Sequence, residues 1–344
     1  MREAEQALGG VIGRRDVLFH RPAYRDPTWT ETNWFGFFVP QAQLRGSVYV
    51  LFRTNLGVAR VPISVYSRPC QSVLDLDYFD DRAHLPMPPD DLDDYRLSNG
   101  VQVRMTKPLE EWTVRYDGRA GTVFDLVFTA LSPPIATSES RVEGGGPGYA
   151  IFNRQGVDAG APTGHIDQTM WVTGEVRVRG TTHAVDFPSN RDHSWSPRRE
   201  WGHNICGNFD EGHFGRDLSF HVQTRNDPLE VGNVTHGYVV RDGITLGLKA
   251  GTGRYEYDGW RINRLSYELE DTAGRAYRMV GTPVAWTTDM LGGSYAITAV
   301  VRWEWDGTVG WGDYKWHWDV FRMHEYAQRR GEVELAGAEQ KEQA

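Results

Sequence analysis

Residues 190–199 place a carboxylate, an imidazole, an indole and three guanidiniums in one short stretch, Asn190-Arg191-Asp192-His193-Ser194-Trp195-Ser196-Pro197-Arg198-Arg199. A carboxyl group surrounded by apolar side chains keeps its proton near neutral pH and can hand it to a bound molecule. An imidazole can orient that acid or take a proton from water, and an indole face stabilises a developing cation through its quadrupole. A second acid and imidazole pair, His165 and Asp167, stands one strand earlier. Together these residues can protonate, orient and cradle an apolar ligand; on their own they suggest a site and do not name a reaction. Asp192 is the first candidate for the proton donor, with Asp167 and Asp210 behind it. His193 and His165 are candidates for orienting that acid or serving as base. Trp195, with Trp171 or Trp201, would face the cation, while Arg191 and Arg198 would fix the carboxylate or bind a polar end of the substrate.

A plainer reading stands beside this one: Arg191 and Asp192 as a buried ion pair, with Trp195 filling a domain junction. A metal site is a further reading, because His193, His203, His213 and His221 alternate with Asp192, Glu200, Asp210 and Glu211. That stretch lacks HxH, HxD and HExxH spacing, so no metal and no cofactor is expected. The glycine turn Gly251-Thr252-Gly253 has no P-loop lysine, and no Gly-x-Ser-x-Gly elbow occurs.

The elements that must hold these groups read as strands. Val172–Arg179 alternates, as do Ser47–Arg53, Val58–Tyr66, Gly121–Thr129 and Ala296–Trp305, each bounded by Gly, Pro or Asn. In Trp311–Asp319 the alternation sends Trp311, Asp313, Lys315 and His317 one way and Gly312, Tyr314, Trp316 and Trp318 the other. The first of those faces can supply polar groups to a cavity, His317 among them. The expected fold is all-β: two tandem antiparallel β-barrels or sandwiches with one short C-terminal helix near Phe321–Arg330. The expected boundaries are a lead-in over 1–28, a first domain over 29–185, a second over 186–330 and a tail over 331–344. The Pro- and Gly-rich stretch 132–163 reads as a long loop, a lid in function. The acidic run Asp90-Asp91-Leu92-Asp93-Asp94 reads as a solvated turn, because it lacks the glycine and terminal glutamate of a calcium loop.

With 37 Lys and Arg against 46 Asp and Glu, the net charge of −9 argues against a nucleic-acid partner, which needs a concentrated basic face. No run is long and apolar enough to span a membrane or to serve as a secretory signal, and Cys70 and Cys206 form no CxxC pair. A cytoplasmic protein acting on a hydrophobic small molecule is therefore expected. The oligomeric state, a homodimer included, is left open.

Gly164-His165-Ile166-Asp167-Gln168, Val172-x-Gly174-x-Val176 and Arg191-Asp192-His193-Ser194-Trp195-x-Pro197-Arg198 together resemble the hydroxyneurosporene synthase-like proteins. That group includes carotenoid 1,2-hydratase and is related in structure to tandem lipocalin proteins of the AttH type. Trp34-Phe35-Gly36-Phe37-Phe38-Val39-Pro40, Asn55-Leu56-Gly57 and Leu92-Asp93-Asp94-Tyr95 extend the resemblance, which runs from about Trp29 to Tyr326. It implies two lipocalin-like barrels with an apolar ligand cavity, and hydration, dehydration, isomerisation or cyclisation of an isoprenoid, steroid-like or polyene molecule. In those hydratases a His-x-Trp pair lies in the reaction site, which matches His193 and Trp195. Their Tyr-x-Asp element has no counterpart at Phe209-Asp210 or Phe220-His221-Val222. A lipocalin-like carrier that binds such a ligand without changing it is the alternative.

Overall fold

The computed structural model describes residues 12–20, 26–136, 142, 164–198, 206–226, 230–259, 261–291 and 294–319. Eleven strands form one antiparallel sheet: β1 (Trp29–Val39), β2 (Leu44–Arg53), β3 (Val58–Tyr66), β4 (Tyr78–Pro86), β5 (Asp94–Arg96), β6 (Val101–Lys107), β7 (Glu111–Asp117), β8 (Val123–Ala130), β9 (Ile135–Ala136), β10 (Gly164–Val178) and β11 (Thr181–Pro197). Their order is β4-β3-β2-β1-β11-β10-β8-β7-β6-β5, with β9 paired to β10. Eight more close into a barrel: β12 (Cys206–His213), β13 (Leu218–Asn226), β14 (Val231–Arg241), β15 (Ile244–Asp258), β16 (Arg261–Asp271), β17 (Ala276–Leu291), β18 (Ser294–Trp305) and β19 (Thr308–Asp319). The expectation of an all-β protein is met, and no α-helix occurs among the described residues.

Alternation explains both layers. In β7 Trp112, Val114 and Tyr116 turn inward while their neighbours face out, and β8 does the same with Phe124, Leu126 and Phe128. The first sheet curls round this core, so that Tyr78 on β4 and Tyr116 on β7 meet through their hydroxyls at 2.6 Å. Pairing of β12 with β19 closes the barrel and removes its free edges. Its core gathers Phe220, Tyr267, Trp303, Trp316 and Trp318. Tight hairpins at Asp242-Gly243 and Asp306-Gly307 have positive φ at both residues, as a twisted two-residue turn demands.

Gly174 on β10 is fixed by its backbone. Its φ is +131° and an added Cβ would fall 2.1 Å from the Asp125 carbonyl oxygen on β8. Gly174→Ala is therefore expected to cost about 2 kcal/mol, read as a lower urea midpoint with an unchanged slope.

The expected boundary at residue 185 falls inside a strand: residues 186–197, placed above at the head of a second domain, belong to β11, which pairs with β1 and β10 of the first sheet. The chain leaves that sheet only after Pro197 and enters the barrel at Cys206. The polar alternation of 190–198 is thus that of a strand with two covered faces, and a linker would not need it. Most of the lid segment, the helix near Phe321–Arg330, the 331–344 tail and Trp201 lie outside the described residues.

Candidate active site

A cavity of about 220 Å³ lies between the first sheet and the barrel. Trp34, Leu51, Leu76, Phe79 and Phe209 give it apolar walls. Among the polar groups that line it are some from β10, β11, β12, β13 and β19, and strand alternation decides which of them reach it. On β10 the odd positions, His165 and Asp167, face the cavity; on β11 the even ones do, Asn190, Asp192 and Ser194. From the barrel come Glu211, His221, Lys315 and His317.

Asp167 Oδ2 lies 3.3 Å from His165 Nε2 and 3.4 Å from His221 Nε2. Burial alone would raise this carboxyl, but the two imidazoles overcome it and hold Asp167 at about 2. Asp192 pairs with Asp167 across the β10–β11 ladder. Burial pushes Asp192 up to about 6; His165 opposes the rise and the Asp167 charge adds to it. Two neighbouring carboxyls are thus driven apart, one ionised and one able to keep a proton close to neutrality, which is the pattern of an acid and its charged companion. Burial also lowers His221, whose ring stacks on Tyr238 at 5.4 Å. Burial works against a proton on His165 too, but the Asp167 charge raises it above its ordinary value. One imidazole is therefore biased neutral and its neighbour biased charged.

The barrel side adds a second charged group. Lys315 Nζ lies 3.4 Å from Asp313 Oδ1, 3.9 Å from Glu211 Oε2 and 3.7 Å from the centre of the Trp34 ring. Asp313 also accepts a 2.7 Å hydrogen bond from Arg45 Nε on β2. Burial would raise Glu211, but Lys315 and His213 hold it at about 2. Arg198 closes another side, donating to the Tyr49 hydroxyl at 2.9 Å and to Ser194 Oγ at 2.7 Å.

Of the residues singled out in the sequence, Asp192, His165, Asp167, Arg198 and His317 line the cavity. The others do not. His193 and Trp195 point to the opposite face of β11, inside the first sheet, where Trp195 stacks on His20 at 3.7 Å and on His193 at 5.0 Å. Arg191 shares that face, donating from Nε to Gln168 Oε1 at 2.9 Å with its guanidinium 4.7 Å from the Trp112 ring. The sequence pairing of Asp192 with His193 is therefore a pairing across a sheet, since adjacent strand residues face opposite ways. Asp210 turns into the barrel, where Tyr267 and Asn208 donate to it. Burial pushes it up to about 8 against those two hydrogen bonds. Trp171 is away from the cavity, donating to Asp186 at 2.8 Å beneath the Arg216 guanidinium. The sequence reading passed over Trp34, Glu211, His221 and Lys315 as site residues. The alternation of Trp311–Asp319 did carry the signal for Lys315.

A curled antiparallel sheet and a closed eight-stranded barrel in tandem, with polar strand faces turned to a shared cavity, define a tandem lipocalin-like β-protein. A family model described as a domain of unknown function, DUF7064, matches residues 14–320, and the chain belongs to that family. Among solved structures, an AttH-like protein from Nitrosomonas europaea aligns with a TM-score of 0.50 and 12% identity, covering 86% of this chain and 94% of that one. Kievitone hydratase from Nectria haematococca aligns with a TM-score of 0.47 and 12% identity, covering 90% and 96%. No curated protein matches the chain. The AttH-like neighbour agrees, at the level of fold, with the superfamily that the motifs resemble. No helix of the described residues is long and apolar enough to cross a membrane.

Proposed function

We propose that the protein is an acid–base enzyme that adds water to, or removes it from, an apolar, double-bonded small molecule, using side chains alone in the cavity. The separation of Asp192 from Asp167, one carboxyl raised and its neighbour held ionised, carries this reading. In the hydration direction Asp192 gives its proton to an alkene carbon, and His221, biased neutral, takes one from the attacking water. Asp167 keeps its charge beside both imidazoles and stabilises the imidazolium that forms.

Cyclisation of a polyene is less well served. It calls for a dry aromatic surface, and the Trp34 face is already occupied by Lys315. A cavity of about 220 Å³ also suits the reacting end of an isoprenoid or steroid-like substrate better than a whole polyene. The hydroxyneurosporene synthase-like motifs support the same substrate class, and a carrier of such a ligand is the competing reading.

Mass spectrometry of an organic extract of the purified protein is expected to identify the bound molecule. With that ligand or its hydrated partner supplied, kcat/KM should be level at mildly acidic pH and fall as pH rises through about 6, because the donor works protonated. Phe209→Ala, which cuts away a cavity wall, should weaken binding by about tenfold. A ligand that is bound and returned unchanged at every pH would establish the carrier reading instead.

A further inference from the structure

On the far side of β11 from the cavity, three residues distant in sequence converge: His20 from the segment before β1, Glu31 from β1 and His193 from β11. We propose that His20, Glu31 and His193 form a binding site for a divalent first-row transition-metal ion, zinc above all, on the inner face of the first sheet.

The distances suit such an ion. Glu31 Oε2 stands 3.3 Å from His20 Nδ1 and 3.9 Å from His193 Nε2, and ligand atoms from all three residues lie within 4.8 Å of one another. Donors held about 2.0–2.1 Å from a tetrahedral zinc stand about 3.3–3.4 Å apart, so a small inward movement completes the site. Two imidazoles and one carboxylate are a donor set that zinc and non-haem iron share.

The supporting bonds are already in place. His193 Nδ1 lies 2.8 Å from the Thr32 carbonyl oxygen, which can only accept. Nδ1 therefore carries the proton, and the lone pair of Nε2 is turned toward Glu31. His193 is fully buried and Nε2 has no hydrogen-bond partner. A backbone carbonyl that sets the tautomer of a ligating histidine is the usual outer support of a metal site. Glu31 Oε1 is likewise engaged, accepting from the His20 backbone N–H at 2.7 Å and from Trp29 Nε1 at 3.3 Å, which leaves Oε2 to the ion. Asn33 stands opposite His193 in the β1–β11 register, its buried side-chain amide beside the Tyr95 hydroxyl. The amide oxygen can fill a fourth position or hold a metal-bound water.

The ion would pin residues 12–20 across the inner face of the first sheet, where Val17 is buried and Phe19 packs edge-on against Phe52. It stands apart from the cavity chemistry, since β11 separates the two. His20, partly exposed, offers the entry path.

The test uses full-length protein stripped with a chelator. Calorimetric titration with Zn²⁺ should give one equivalent per chain, and Co²⁺ should develop the visible bands of a low-symmetry site. Loss of an outer hydrogen-bond partner typically weakens metal binding 10- to 100-fold, so loss of a ligand in Glu31→Gln or His193→Ala should weaken it at least about 100-fold. His20→Ala, the least buried of the three, serves as the variant least disturbing to folding, with circular dichroism as the control. Zn²⁺ should raise the melting midpoint of the unsubstituted protein and leave that of His20→Ala unmoved. His221→Ala should bind Zn²⁺ as the unsubstituted protein does. Absence of stoichiometric binding overturns the proposal. So does a site lost in His165→Ala but kept in His20→Ala and His193→Ala, which would put the ion in the cavity.

Discussion

Asp192→Asn is expected to lower turnover of the cavity ligand by about 10²–10⁴-fold while leaving its affinity within a fewfold. Asparagine keeps the shape and one hydrogen-bonding oxygen but has no proton to transfer. The same substitution should make the protein more stable at neutral pH. The folded-state value of Asp192, about 6, lies above the ordinary 3.8. The folded chain therefore binds this proton more tightly than the unfolded one, and the resulting stability is complete below about pH 4 and lost as pH rises through about 6. Above that the unsubstituted protein carries a half-buried charge costing about 1–3 kcal/mol, which the variant does not. Urea unfolding at pH 4 and pH 7.5 reads the difference: the variant should gain only at the higher pH. A stability difference between the variant and the unsubstituted protein that is the same at both pH values, or a fully active variant, would remove Asp192 from its role as acid. An acid kept at such a cost is the ordinary trade of stability for function.

The strand character of the chain was legible because strand alternation is a property of neighbouring residues. Trp311–Asp319 shows this: Tyr314, Trp316 and Trp318 went to the barrel core and Lys315 and His317 to the cavity. The same rule, applied to 190–199, would have separated Asp192 from His193. The prolines and arginines of that segment mask its strand character, because they resemble a connection. His165 and Asp167 were found for a sound reason, as alternate residues of one strand. Glu211 and His221 were not, since their place in the cavity depends on how the barrel sits against the first sheet. Nothing local to β12 or β13 encodes that. Asp210 shows the converse: one position along from Glu211, it lies within the barrel, held by Tyr267. His20 and Glu31 were invisible for a similar reason, since their meeting with His193 is made by the β1–β11 pairing.

The packing of the two sheets should itself fail when Arg45 is lost. Arg45 on β2 and Asp313 on β19 form an ion pair at 2.7 Å, with side chains 3% and 0% exposed. Burial raises Asp313, the Glu211 charge adds to the rise, and Lys315 and Arg45 oppose it. Arg45→Ala leaves two buried carboxylates sharing one ammonium group, and removing one member of a buried pair costs about 3–5 kcal/mol. The deficit should be largest above neutral pH, where Asp313 must stay charged, and should shrink in acid as it takes up a proton. Arg45 and Lys315 also flank Trp34, at 5.6 and 3.7 Å from its ring, so the cavity wall loosens with the pair and ligand binding weakens in parallel. Replacing both partners, Arg45→Met with Asp313→Leu, removes the charges together and should restore most of the lost stability, as apolar substitutes for buried pairs commonly do. Thermal and urea unfolding of the two variants across pH 5 to 8 decides the matter. If Arg45→Ala loses less than about 1 kcal/mol, or the double variant is as unstable as the single one, then the sheets are held by their apolar contacts and the pair contributes only its geometry.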